Sequence, residues 1–208
     1  MMEKKYNGIH DDPLVDSFDK LLDMTQALLP FDPTPREIKH VVLDADDTMW
    51  QIKPWGIATS TTPVGSTDGD TLPITPSRGM FKEIPGEWRD TPTGSVQLDP
   101  TLRDTLKALK KKGIPVSIAS TNTKSSIMSY LYAFHLESEF TDIEANLYEH
   151  KQQMVRKIAK RHNVDPEQMI FVDDNYDNVE GVSFCTDALS LLMGYSITRI
   201  ADILEFIK

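Results

Sequence analysis

Apolar runs that end abruptly in acid or in small polar residues divide this chain more sharply than any other feature. Ile38, Val41, Val42 and Leu43 lead into Asp44-Ala45-Asp46-Asp47-Thr48. A short, nearly continuous apolar run bounded in this way predicts a strand covered on both faces. Ile114 to Ala119 repeats the pattern and ends in Ser120-Thr121-Asn122-Thr123, and Met169 to Val172 ends in Asp173-Asp174. Phe140 to Ala145 predicts a shorter strand and Phe184-Cys185 a last one. Between these runs the spacing changes to a helical period. Asp99-Pro100 opens a helix carrying Leu102, Leu106 and Leu109, and Gly113 closes it. Ile127, Met128, Leu131 and Phe134 line a helix from Lys124 to Phe134, and Met154, Val155, Ile158 and Ala159 line one from Glu149 to His162. Residues 175–181 read as a short helix and turn, and Ile197 to Ile207 as a closing amphipathic helix.

Strands that alternate with helices predict an α/β fold, a Rossmann-like parallel sheet with helices on both faces. Residues 38–208 form that core. Residues 1–37 precede it as a polar tail and a helix. The helix opens at Asp12-Pro13, and Leu14, Val15, Phe18, Leu21, Leu22, Leu28 and Leu29 fall on its apolar face. Residues 51–97 break the alternation. They hold six prolines and six of the ten glycines and show no helical period. This predicts an irregular insert with at most a short hairpin, placed as a cap or lid over the strand ends. Trp55 and Trp88 either line a pocket there or hold small satellite cores together.

Composition narrows the picture. With 208 residues, 39% hydrophobic and 26% charged, the chain can bury one sizeable core. A net charge of −10 argues against a nucleic-acid partner. The single Cys185 allows neither an intrachain disulfide nor a cysteine metal site, and reads as a buried small hydrophobe. No stretch is long and apolar enough to span a membrane, so the expectation is a cytoplasmic protein without a membrane partner. His40, His135, His150 and His162 lack metal-ligand spacing and read as surface or packing residues. Lys110 to Lys112 complement a helix C-terminus. The oligomeric state stays open.

In an open parallel sheet the strand ends share one crevice, where ligands bind. The predicted layout brings Asp44 and Asp46, Ser120, Lys151, and Asp173 and Asp174 to that crevice. Carboxylates from two strands make an oxygen-rich site suited to Mg²⁺, because like charges this close need a cation or a shared proton. Lys151 falls in the first turn of a helix, where a cation opposes the dipole, so its presence hints at a task. Ser120 and Lys151 can grip phosphoryl oxygens. Asp44 can attack phosphorus and form an aspartyl-phosphate. Asp46 can protonate the leaving alcohol and then activate water.

These motifs together resemble the haloacid dehalogenase superfamily in its phosphatase branch. The family's four signatures correspond to Asp44-x-Asp46-x-Thr48, Ser120, Lys151 and Asp173-Asp174, in that order. Lys124 and Lys157 compete with Lys151 for the third. The resemblance implies Asp44 as nucleophile and metal ligand, and Asp46 as acid and base that also ligates through its backbone carbonyl. It implies Asp174 as a direct ligand, Asp173 as one through water, and Asn178 as a residue that orients them. Thr48, Ser120, Thr121, Asn122 and Lys151 are then the phosphate-binding residues, and Mg²⁺ the cofactor. Trp50 and the Phe171 to Asp174 stretch resemble the magnesium-dependent phosphatase-1 group, although Asp47 and Thr121 stand where that group carries a bulky residue and an arginine. The implied activity is hydrolysis of small phosphorylated metabolites. Protein or nucleic-acid-end phosphatase activity is the nearest alternative, and a non-catalytic phosphate- or Mg²⁺-binding module the more distant one.

Overall fold

The computed structural model describes residues 34–54, 82–84, 88–91 and 94–208. Five strands form a parallel sheet: β1 (His40–Leu43), β6 (Val116–Ser120), β7 (Asp142–Ala145), β8 (Met169–Asp173) and β9 (Leu189–Leu192), in the spatial order β7-β6-β1-β8-β9. β1 lies in the middle, with Leu43 level with Ile118 of β6 and Val172 of β8. All of β1, β6 and β8 is buried, which is why their sequences are largely apolar, with His40, Ser117, Ser120 and Asp173 as buried polar exceptions.

Side chains alternate across the sheet with period two. Val41, Leu43, Val116, Ile118, Ile170 and Val172 join one core with helices α1 (Leu102–Lys111) and α2 (Lys124–Phe134). Helix α3 (Lys151–His162) lies against β6 and β7, and α4 (Tyr176–Cys185) against β8 and β9. Among the described residues, no helix is long and apolar enough to cross a membrane.

Three expectations change. Phe184 and Cys185 are the end of α4, not a strand, and both are exposed. Cys185 is therefore not a core residue, and the last strand is Leu189–Leu192. The closing segment, Ile200–Phe206, is a 3₁₀ helix that buries Ile200, Ile203 and Phe206. The insert is also more regular at its borders than its composition suggests. β2 (Trp50–Pro54), β3 (Lys82–Ile84), β4 (Trp88–Thr91) and β5 (Gly94–Leu98) make an antiparallel sheet in the order β2-β5-β4-β3. Trp50 pairs with Leu98 and Pro54 with Gly94, so two strands rise side by side from the core. Val96 and Leu98 anchor this sheet in the main core. The helix expected within residues 1–37 and the middle of the insert, with Trp55, lie outside the described residues.

Candidate active site

The site begins where β1 stops. Asp44 continues the strand far enough for its amide to donate to Val172 O at 2.8 Å. The chain then turns sharply. Met49 N and Trp50 N both donate to Ala45 O, at 2.8 and 3.3 Å, and Asp47 N donates to Trp50 O at 2.8 Å. Asp47 occupies the left-handed region at φ 55°, which aspartate tolerates better than most residues. The turn brings Asp46 back beside Trp50 and buries Thr48.

Strand alternation puts Asp44 and Asp173 on the face covered by α3, whose first residue is Lys151. Lys151 is 1% exposed, and its ammonium donates to Asp44 Oδ1, to Asp173 Oδ2 at 2.9 Å and to Ala119 O at 2.8 Å. Three donors meet three acceptors, so the ammonium is fully satisfied. Burial alone would lower its proton affinity, but Asp44 and Asp173 outweigh burial and raise its pKa. The lysine at the wrong end of a helix dipole is thus held by two carboxylates. To meet a phosphoryl oxygen it must share or exchange one of these bonds. Of the competing lysines, Lys124 is exposed, and Lys157 pairs with Glu144 and Glu149.

Asp173 is wholly buried and accepts from Asn175 N at 2.9 Å, and from Asn178 Nδ2 at 3.1 Å to Oδ1 and 3.2 Å to Oδ2. Asp174 is exposed beside it, and its Oδ1 accepts from Thr48 Oγ1 at 3.3 Å. Oxygens of Asp44, Asp173 and Asp174 lie within 4.8 Å of one another. Three carboxylates face one ammonium, an excess of two negative charges among hard oxygen donors. A divalent cation of the Mg²⁺ kind fits that donor set. Proton affinity is raised at two of these carboxyls, chiefly by burial. Burial pushes Asp44 up to about 7, with Asp173 adding to burial and Lys151 opposing it. Burial, then Asp173 and Asp47, push Asp174 up to about 6.

Asp46 is held differently. Trp50 Nε1 donates to its Oδ1 at 2.8 Å, and Asn122 Nδ2 to its Oδ2 at 3.0 Å. The sequence placed Asn122 among the phosphate-binding residues, but its amide is committed at both ends, with Oδ1 accepting from Thr123 N at 2.7 Å. Ser120 is buried, and its hydroxyl accepts from Asn122 N at 3.1 Å. Thr121 stands exposed at the same strand end. Thr48 sits on the Asp174 side of the site. Trp50 entered the sequence reading only as part of the motif resemblance, with no role given to it at the site. A cavity of about 320 Å³ opens beside Asp174, lined among others by Thr48, Gln51, Gln97, Gly194 and Thr198.

A family model for haloacid dehalogenase-like hydrolases matches residues 88–183. That stretch holds Ser120, Lys151, Asp173 and Asp174, while Asp44 and Asp46 precede it. No curated protein matches. A haloacid dehalogenase superfamily hydrolase from Ehrlichia chaffeensis shares the fold at TM-score 0.53 and 14% identity, over 83% of this chain and 97% of its own. A phosphatase-domain structure from Bacteroides fragilis, complexed with Mg, aligns at TM-score 0.51 and 16% identity, over 93% of this chain and 44% of its own. A haloacid dehalogenase-like protein from Streptococcus pneumoniae is 24% identical at TM-score 0.43 over 53% of each chain, so this chain spans about half its length.

Proposed function

We propose that this chain, a member of the haloacid dehalogenase superfamily, is a magnesium-dependent phosphomonoesterase acting on small phosphorylated metabolites, with Asp44 as nucleophile. The observation that carries this reading is the Asp44–Lys151–Asp173 cluster. A carboxylate buried at a strand end, beside a fully satisfied ammonium and two further acids, suits attack on a dianionic phosphoryl group better than it suits a purely structural role. In this reading an Asp44 oxygen bonds to phosphorus as the bond from phosphorus to the alcohol oxygen breaks. The departing oxygen takes the proton from Asp46. Water then attacks the phosphorus of the aspartyl-phosphate and gives a proton back to Asp46, and the bond from phosphorus to Asp44 breaks. Asp46 ends as it began, protonated.

Ser120, the Thr121 backbone and Lys151 are the groups assigned to the phosphoryl oxygens. Asp44, Asp46, Asp173 and Asp174 would hold Mg²⁺, which when bound offsets the negative charge shared by nucleophile and phosphate. Lys151 keeps the Asp44 carboxylate oriented and opposes the rise in proton affinity that burial causes. Residues 51–97 act as the cap that controls access, with the paired strands β2 and β5 as its base. Likeness to the magnesium-dependent phosphatase-1 group rests on Asp44-x-Asp46-x-Thr48-x-Trp50.

Hydrolysis of p-nitrophenyl phosphate tests the reading, with Mg²⁺, with a chelator, and with Asp44→Asn. Turnover that needs both the metal and Asp44 supports it. Turnover that survives Asp44→Asn contradicts it.

A further inference from the structure

We infer that Trp50 and Asn122 are positioning residues that hold the Asp46 carboxyl for proton transfer; the inference rests on the reading of Asp46 as acid and base. Each Asp46 oxygen receives one N–H donor, and the two donors come from separate elements. Trp50 is the first residue of β2 and is 1% exposed. Its ring packs against Tyr130 of α2, with centroids 5.2 Å apart and planes at 39°. The indole N–H therefore has little freedom to turn away from Asp46 Oδ1. Asn122 follows β6, and its bond from Thr123 N fixes which end of the amide faces Asp46 Oδ2.

This arrangement does two things that a merely filled space would not. It fixes both torsions of a short side chain that would otherwise exchange rotamers. It also leaves the second lone pair of each oxygen open for a proton or a water. The donors are themselves suitable. An indole N–H and an amide N–H cannot accept a proton from Asp46, so the proton has no competing destination among them. Trp50 also pairs with Leu98 of β5, so the antiparallel sheet that carries the insert is tied directly to this carboxyl.

A misplaced general acid harms esters with poor leaving groups most, because a nitrophenolate departs without help and an alkoxide does not. The test uses the full chain and two variants. Trp50→Phe keeps a ring against Tyr130 and deletes the N–H, and Asn122→Ala removes the other donor. Values of kcat/KM are measured for p-nitrophenyl phosphate and for a simple alkyl phosphate, since this ratio reports the steps up to release of the alcohol. Each variant is expected to lose about tenfold or more on the alkyl ester beyond its loss on the aryl ester. A second readout is independent of turnover. The Trp50 indole N–H resonance, assigned by its disappearance in Trp50→Phe, is expected to move when Asp46→Ala removes its acceptor. Equal losses on both esters, or an indole resonance that Asp46→Ala leaves in place, overturn the positioning role alone. Wild-type protein that hydrolyses neither ester overturns the phosphatase reading and this role with it.

Discussion

His40 and Asp44 stand four residues apart at opposite ends of β1, and both are buried ionisable side chains. The chain settles their charges in opposite ways. At the entry end, His40 is fully enclosed; its Nε2 shares a hydrogen bond of 2.8 Å with Ser117 Oγ, and its Nδ1 has no partner among the described residues. Its ring lies 4.6 Å from that of His162. Burial first, then His162, lower its pKa to about 4, while Asp142 opposes them, so the ring stays neutral. At the exit end, Asp44 faces an ammonium, a second buried carboxylate and a third acid beyond it. Proton affinities are shifted strongly at both ends. A shifted pKa therefore does not mark the functional end by itself. A buried charge retained with dedicated partners does, because desolvating charges is unfavourable and the apolar alternative was open to selection.

The sharpest way to break the comparison is to unpair the exit end. Lys151→Met leaves Asp44 and Asp173 buried against each other, and is expected to lower stability by about 3–5 kcal/mol in urea unfolding at neutral pH. A loss below about 1 kcal/mol would mean that these carboxyls do not need their cation.

The entry end should answer to pH instead. His40 has a pKa of about 4 when folded and 6.5 as the ordinary value. Between those limits the unfolded chain binds more protons at this residue, so the share of stability due to His40 falls as pH drops from about 6.5 towards 4, while Asp44 and Asp174, raised to about 7 and about 6, act in the opposite sense. The contribution is intact above 6.5, and its total loss is ~3 kcal/mol. Urea unfolding of wild type and His40→Gln at several pH values checks this: relative to wild type, the variant is expected to become more stable as pH drops through that window. An unchanged pH dependence in the variant would remove His40 as its source.

Divalent cation should separate the ends again. At a free Mg²⁺ concentration of 100 times Kd, stabilisation of about 2.7 kcal/mol is expected, reduced in Asp174→Asn and unaltered in His40→Gln. Thermal unfolding with and without Mg²⁺ reads this directly. The smallest effect is expected in the last turn of α4. Exposed Cys185 is expected to react with a thiol reagent in the folded protein without a change in melting temperature.

Much of the exit end was legible from local pattern alone. The apolar run that stops at Asp44, the run that stops at Asp173, and a lysine placed against a helix dipole each carry a signal within a few residues. Non-local pairings were not legible in this way. Asn122 reads as a polar loop residue, and only the adjacency of β1 and β6 shows that its amide meets Asp46. Ser117, His162 and His40 likewise meet through tertiary packing. The antiparallel sheet did leave a trace. Trp50 and Ile52 alternate with Gln51 and Lys53, and Val96 and Leu98 with Ser95 and Gln97. Prolines and glycines between these short pairs hid the period. The last strand was misplaced because Phe184 and Cys185 are apolar in type yet exposed on α4, while Leu189 and Leu191 carry the real alternation.

The central claim is that Asp44 receives the phosphoryl group. Rapid acid quench during turnover of a phosphorus-labelled ester, followed by peptide mapping, tests it directly. The account predicts label on the peptide containing Asp44, released by hydroxylamine and absent from Asp44→Asn. Turnover with no label on the protein, or label on another residue that persists in Asp44→Asn, would contradict it.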